Sequence, residues 1–185
     1  MDVQRDLAGR SSLRTYDYIC QSQPDELGHM YARASNMSLK TSQTRRSTLQ
    51  THLLNYRWVP TPYISFMSSP EALRNFANFR KRRPYRQDRT VIVIDPAVRF
   101  EAKRPVINYG DEMRCNNIED PYDLSQEELN SHDICLWRVK ANEVVESWSW
   151  DELSSNPNWY QNIFLVLRSS EKGDGEDSGN KPKNI

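Results

Sequence analysis

The chain has 185 residues and a formal net charge of zero, so one domain is expected and no overall attraction to nucleic acid or an anionic membrane exists. Hydrophobic residues make up only 37% of it, which predicts loose ends around one modest core. Five Trp and nine Tyr exclude wholesale disorder, because such rings are costly to leave in water.

The composition along the chain predicts three segments. Residues 1–12 are expected to be a flexible N-terminus, and residues 13–169 a single α+β domain. Residues 170–185 lack aromatic residues and hold half of the six glycines, which predicts a disordered tail. No apolar run reaches the length of a membrane span or of a signal sequence, although a signal removed before residue 1 would leave secretion open.

The first predicted elements surround a cluster of three serines, Ser65, Ser68 and Ser69, here called the serine cluster. The side chains of residues 13–19 alternate between two faces, which predicts a strand. The apolar residues of 48–58 have the spacing of a short amphipathic helix, and the prolines in residues 59–66 favour an extended chain. A helix is expected to begin at Pro70, where a missing N–H costs nothing. Ser69 suits its N-cap, and Ser68 with Glu71 fits a capping box.

The second half of the body predicts strands and a closing helix. Residues 90–94 are β-branched and stop at Asp95-Pro96, so a buried strand is expected there. Residues 134–139 predict another strand, and residues 142–150 a third strand or a strand-to-helix turn. Asn156 and Pro157 predict the start of a last helix. Four tryptophans are expected in the core rather than at a cofactor: Trp137, Trp148, Trp150 and Trp159.

Several kinds of site lack support in the sequence. Glycine is scarce outside the tail, so no phosphate loop or dinucleotide fingerprint occurs. The three histidines are isolated, and the three cysteines, Cys20, Cys115 and Cys135, have no ligand spacing, so no metal site is predicted. Reduced thiols of a cytosolic or nuclear protein are expected, with a Cys115–Cys135 disulfide left open.

The basic segment Arg80–Arg89 has two interpretations. Cations at a helix C-terminus are commonly a solvated helix end. The alternative is a contact with phosphate or nucleic acid, or a localisation signal, although Tyr85 alone is too little for a stacking platform.

The serine cluster also has two interpretations. Ser68 and Ser69 suit capping, whereas hydroxyls beside a helix N-terminus also suit a sugar or phosphate.

The segments "LRTYD", "ISFMSSPEALRNFA" and "HDICLWRV" resemble, in this order, three motifs of the ADP-ribosyltransferase fold, a split β-sandwich of two small sheets with peripheral helices. "LRTYD" resembles its first motif, an Arg on an early strand, with Arg14 in that position. "ISFMSSPEALRNFA" resembles its second motif, with Ser65 as the first residue of Ser-Thr-Ser and with Phe66 and Met67 departing from it. "HDICLWRV" resembles the third motif, with Asp133 where the family has Glu.

The resemblance implies NAD as the cofactor and a division of roles. Arg14 would hold a phosphate or ribose, Ser65 would orient the ribose ring, and Asp133 would stabilise the oxocarbenium-like centre. Ser68 and Ser69 would join Arg14 and Ser65 in binding the cofactor. Asp is one methylene shorter than Glu, and a displacement near 1 Å can cost about 10²-fold in rate, so catalysis is the weakest implication.

The chain as a whole also resembles an uncharacterised fungal domain family. The shared features are R-x-Y-D at 14–17, T-P-Y-I-S at 61–65, "VIVID" at 91–95 and "VVESWSWDEL" at 144–153. Two hypotheses follow: a catalytically degenerate domain that binds a ligand or a protein partner, and an active ADP-ribosyltransferase that uses NAD. Binding of phosphate or nucleic acid through Arg80–Arg89 is a weaker third hypothesis.

Overall fold

The structure is a computed structural model that describes residues 12–54, 58–83 and 89–170, without the side chains of Phe164 and residues 167–170. Its strands are β1 Ser12–Tyr16, β2 Met30–Tyr31, β3 Tyr63–Met67, β4 Thr90–Ile94, β5 Ile107–Asn108, β6 His132–Leu136, β7 Arg138–Val139 and β8 Val144–Ser149. Its helices are α1 Ser42–Leu53, α2 Pro70–Lys81, α3 Pro96–Glu101, α4 Tyr109–Cys115, α5 Gln126–Asn130, α6 Trp150–Ser155 and α7 Trp159–Ser170, with a 3₁₀ turn at Ala141–Glu143.

Six strands form an antiparallel sheet in the order β5-β6-β3-β1-β4-β8, and β2 pairs with β7 in a separate two-stranded sheet. The predicted α+β class, with two sheets and peripheral helices, is confirmed. The predicted strand at 134–139 is wrong in one respect, because it breaks at Trp137. That residue has a φ of 59°, which ends β6 and lets β7 join the small sheet.

Side chains on one face of the large sheet, here called the helix face, form two separate clusters. Leu13 and Met67 pack with α2, α6 and α7, and the core position predicted for Trp150 and Trp159 is confirmed. Tyr63 and Ile134 pack instead with Leu49 and other residues of α1 and α4. The opposite face packs against the small sheet through Ile64, Phe66, Ile92 and Ile94. The helix face is therefore covered in two halves with a boundary between them.

The serines before α2 take different partners. Ser69 is the N-cap as predicted, and its hydroxyl accepts a hydrogen bond of 3.3 Å from the Ala72 N–H. Ser68 does not cap the helix, because its hydroxyl donates to the Asn130 carbonyl at 3.4 Å and its N–H to Ser131 at 2.9 Å. The serine-rich turn thus joins α2 to the end of α5.

Local chemistry moves several predicted boundaries. β1 ends at Tyr16 rather than at Ile19, because the Asp17 carboxylate accepts from the N–H groups of Ile19 and Cys20 and closes a turn. α1 begins at Ser42, because Thr41 caps it. α7 begins at Trp159, two residues after Pro157.

The remaining expectations concern the cysteines and the chain ends. All three cysteines are free thiols, so the disulfide left open between Cys115 and Cys135 is absent. The predicted tail lies outside the described residues from 171 onward, and so does the N-terminus before Ser12. Among the helices of residues 12–54, 58–83 and 89–170, none is long and apolar enough to cross a membrane.

Candidate functional site

The centre of the large sheet is incomplete between β1 and β3. These strands pair at Leu13↔Met67, whereas β1 pairs with β4 along its full length. Continuing that register would set Thr15 opposite Ser65, but no such pair forms, so the strands separate there. The separation coincides with the boundary between the two clusters on the helix face, and a cleft opens over it.

Arg14 occupies this gap. Its Nη1 donates to the Ser65 carbonyl at 2.8 Å, and its Nη2 donates to Cys20 Sγ at 2.9 Å and to the Ser22 carbonyl at 3.4 Å. Its Nε is buried and has no hydrogen-bond partner among the described residues. The planar guanidinium therefore donates hydrogen bonds where the backbone pairing between β1 and β3 is missing, and its Nε–H keeps no partner among the described residues.

Arg80, from the end of α2, serves β1 in the same way. Its Nη1 donates to the Thr15 carbonyl at 3.3 Å, and the same nitrogen lies 3.6 Å from Asp17 Oδ2. Its Cζ also lies 4.5 Å from the centre of the Phe76 ring. Two arginines thus satisfy the carbonyls that the separated strands expose, and both line the cleft.

Ser65 presents its hydroxyl to the cleft from the middle of β3. Its neighbours along the strand are buried, whereas Ser65 is exposed, since the gap lies beside it. Its Oγ lies 2.9 Å from His52 Nε2, and His52 Nδ1 lies 2.8 Å from Thr61 Oγ1. Three side chains from α1, the approach to β3 and β3 itself therefore form one hydrogen-bonded chain.

His52 sits in a desolvated and positively charged place. Burial, together with the guanidiniums of Arg14 and Arg33, lowers the pKa of His52 to about 4. The ring is consequently neutral at physiological pH, and one of its nitrogens accepts while the other donates. Sequence reasoning missed His52, because an isolated His on an amphipathic helix carries no motif.

Cys20 faces the same arginine. Burial by itself would raise the pKa of the Cys20 thiol, but Arg14, a hydrogen bond with the Ser22 backbone and Arg80 together lower it below its usual value. The turn made by Asp17 brings the thiol back to Arg14. The "RTYD" motif therefore builds a local unit in which Asp17 shapes the turn and Arg14 donates a hydrogen bond to the sulfur.

The cleft has a volume of about 630 Å³, within the range of small-molecule sites. Exposed aromatic rings stand among its lining, namely Trp58, Phe79 and Tyr122. The guanidinium carbons of two arginines lie near such rings, Arg33 at 5.8 Å from Trp58 and Arg83 at 5.0 Å from Phe79. The cleft thus offers apolar ring surface beside cations and hydrogen-bond donors.

Arg14, Ser65 and Asp133 all line this cleft, but their side chains leave different faces of the sheet, because Arg14 and Asp133 pair with residues of the face opposite the helix face, Ile92 and Phe66, and Ser65 leaves on the helix face. Asp133 pairs with Phe66 across β3 and β6, whereas Ser65 pairs with Ile134, so the side chains of Asp133 and Ser65 leave opposite faces of the sheet. Asp133 is 2% exposed, and its carboxylate accepts from Ser12 at 3.4 Å and from Asn108 at 3.5 Å. His132 is the neighbour that shares the face of Ser65 and lines the cleft.

Most of the other sequence candidates lie away from the cleft or have internal partners. Ser68 and Ser69 do not line it and make the contacts described above. Within the basic segment, Arg80 bonds β1 and Arg89 is buried against Asp151 at 2.8 Å. Lys81, Arg82 and Arg83 are exposed, and of these three Arg83 lines the cleft, whereas Arg86 lies outside the described residues.

Comparisons with known proteins give one structural likeness. No protein-family model and no curated protein matches the chain. A solved structure, Thermus sp. 2.9 DarT in complex with NAD+, matches with a TM-score of 0.42 and 8% identity, over 89% of this chain and 91% of that chain. A likeness at this level transfers no function to the cleft.

Proposed function

We propose that this chain is an ADP-ribosyltransferase-like domain whose cleft binds NAD or a similar nucleotide and that its catalytic function is degenerate. The observation that carries the proposal is the meeting of Arg14 and Ser65 at the gap between β1 and β3. They are two of the four positions that the motif resemblance assigns to cofactor binding; the other two, Ser68 and Ser69, do not line the cleft. Their elements come from distant parts of the sequence, so their meeting is a property of the fold.

The chemistry of the lining fits a nucleotide. Arg14 has an unpartnered buried Nε–H, and Ser65 offers an exposed hydroxyl, so both can bind the oxygens of a ribose or phosphate. Trp58, Phe79 and Tyr122 supply ring surface on which a base or nicotinamide can stack. A volume of about 630 Å³ accommodates a ligand of this size.

The acidic position argues for degenerate catalysis. A carboxylate must stand beside the reacting sugar to stabilise an oxocarbenium-like centre. Asp133 is 2% exposed, and its carboxylate is already hydrogen-bonded by Ser12 and Asn108. His132, which shares the face of Ser65, supplies no negative charge. The domain would therefore act through ligand binding or through a protein partner.

Calorimetry with NAD tests binding. Wild-type protein should release or absorb heat with a dissociation constant in the micromolar to low millimolar range, and Arg14→Gln should weaken binding by about 10-fold or more, since a charge-assisted bond is lost. Arg82→Gln is the matched control, because Arg82 is exposed and does not line the cleft. Absence of heat at millimolar NAD would overturn the nucleotide proposal and favour an interaction module.

An assay of nicotinamide release separates the two main hypotheses. The degenerate domain should release no nicotinamide above the rate of NAD alone. Release that Asp133→Asn abolishes would establish the alternative, an active ADP-ribosyltransferase. Nucleic-acid binding through Arg80–Arg89 is the weaker alternative and would depend on the exposed Lys81, Arg82 and Arg83. It predicts that a Lys81→Gln, Arg82→Gln and Arg83→Gln variant loses oligonucleotide binding.

A further inference from the structure

Thr61 fixes the direction of the hydrogen-bonded chain that ends at Ser65. Thr61 is 4% exposed, and its hydroxyl has His52 Nδ1 as its hydrogen-bond partner among the described residues. If Nδ1 carried the proton, the Thr61 hydroxyl would accept it and its own proton would have no acceptor among the described residues. A buried donor without a partner costs about 1–3 kcal/mol. The Thr61 hydroxyl therefore donates to Nδ1.

The remaining proton of the ring then lies on Nε2. Burial and the guanidiniums of Arg14 and Arg33 hold His52 neutral, so the ring carries one N–H. With Nδ1 accepting, Nε2–H donates to Ser65 Oγ across 2.9 Å. Among the described residues, the groups that face the ring are the Thr61 and Ser65 hydroxyls, the two guanidiniums and the Tyr63 ring at 5.3 Å.

We propose that His52 is a positioning residue that fixes the Ser65 hydroxyl as a hydrogen-bond donor toward the cleft. Because Ser65 Oγ already accepts from His52, its proton points away from the ring. The ligand atom that meets Ser65 is then an acceptor, such as a ribose, phosphate or carboxamide oxygen. The ligand part of this inference rests on the proposed nucleotide site, whereas the orientation of the chain does not.

The proton position can be measured directly in the ligand-free protein. Long-range ¹H–¹⁵N NMR of the full chain, with His52 assigned by comparison with His52→Gln, distinguishes the two neutral tautomers. The expected result at pH 7 is the Nε2–H tautomer. An Nδ1–H tautomer or a doubly protonated ring would overturn the inference, whether or not NAD binds.

Two variants of Thr61 test the consequence for the ligand. Thr61→Val removes the hydroxyl at nearly constant volume, and NAD affinity should fall about 3- to 10-fold because the ring and the serine lose their fixed direction. Thr61→Ser keeps the hydroxyl and should retain the wild-type affinity and tautomer. Thr48→Val is the control, since Thr48 also lies near β3 but bonds Tyr63 and the α1 backbone rather than His52.

The outcomes separate this inference from the proposed function. If wild-type protein binds NAD and Thr61→Val binds it equally well with the tautomer lost, positioning by His52 is wrong while the nucleotide site stands. If wild-type protein does not bind NAD but shows the Nε2–H tautomer, the nucleotide proposal fails and the orientation of Ser65 stands.

Discussion

Arg14 and Ser65 are joined by a hydrogen bond of 2.8 Å from Nη1 of the arginine to the backbone carbonyl of the serine. The carbonyl is available because β1 and β3 stop pairing after Leu13↔Met67. A carbonyl that leaves the ladder of a sheet needs another donor, and the arginine supplies it. The same side chain that maintains the separation of the strands therefore also faces the cleft.

The serines on either side of the β3–α2 turn should respond in opposite ways to truncation. Ser69→Ala should lower the free energy of unfolding by about 1 kcal/mol, because the Ala72 N–H loses its cap. Ser65→Ala should change it by less, since Ser65 is exposed, and should weaken NAD binding instead. Urea unfolding and calorimetry measure the two effects. Equal losses of stability with no effect on the ligand would make the cluster purely structural.

The stability of the domain should depend on the protonation of His52. In the unfolded chain a His has a pKa near 6.5. In the folded protein, burial, Arg14 and Arg33 lower the pKa of His52 to about 4. Between these values the unfolded state binds more protons, so the free energy of unfolding rises with pH. The contribution is fully present above pH 6.5 and is lost progressively as pH falls toward 4.

Urea unfolding at pH 7 and pH 5 measures this contribution. From pH 7 to pH 5, the free energy of unfolding should fall by about 1–2 kcal/mol less in His52→Gln than in wild-type protein. His29→Gln is the control, because His29 lies beside the small sheet and accepts from the Ala141 N–H instead. A pH dependence in His52→Gln that equals that of wild-type protein would contradict the depressed pKa.

Cys20 should react with iodoacetamide far faster than Cys135. Arg14 and Arg80, with the Ser22 backbone, outweigh burial and lower the pKa of Cys20, whereas burial raises the pKa of Cys135 to about 12. Mass spectrometry of partly alkylated native protein at pH 7.5 gives both rates. Cys115, which is exposed, is the internal reference. Arg14→Gln should slow Cys20, and an unchanged rate would show that Arg14 does not activate the thiol.

The buried ion pair Arg99–Glu143 should be essential for stability. Both side chains are fully buried, and Arg104 adds a second contact with Glu143 at 2.9 Å. Glu143→Gln should cost about 3–5 kcal/mol, because Arg99 is left as a buried charge without its counter-ion. The exposed pair Arg114–Asp111 is the control, and Asp111→Asn should cost less than about 1 kcal/mol. A cost for Glu143→Gln as small as that for Asp111→Asn would contradict this role.

The sequence determined the elements whose signals are local. The cap at Ser69 with Pro70 and the β-branched strand at 90–94 depend on neighbouring residues alone, so both were predictable. The motif order also identified Arg14 and Ser65, which line one cleft. The break of the 134–139 strand at Trp137 was not predictable, because it accompanies the pairing of β7 with β2, a segment far away in the sequence.

Tertiary structure alone decided the composition of the cleft. His52 is thirteen residues from Ser65 in the sequence and shares no motif with it, and packing of α1 beside β3 joins them. The face on which Asp133 emerges follows from its register opposite Phe66, and a shift of one residue would reverse it. Register and packing depend on contacts between distant segments, so no local pattern could fix which of these side chains the cleft receives.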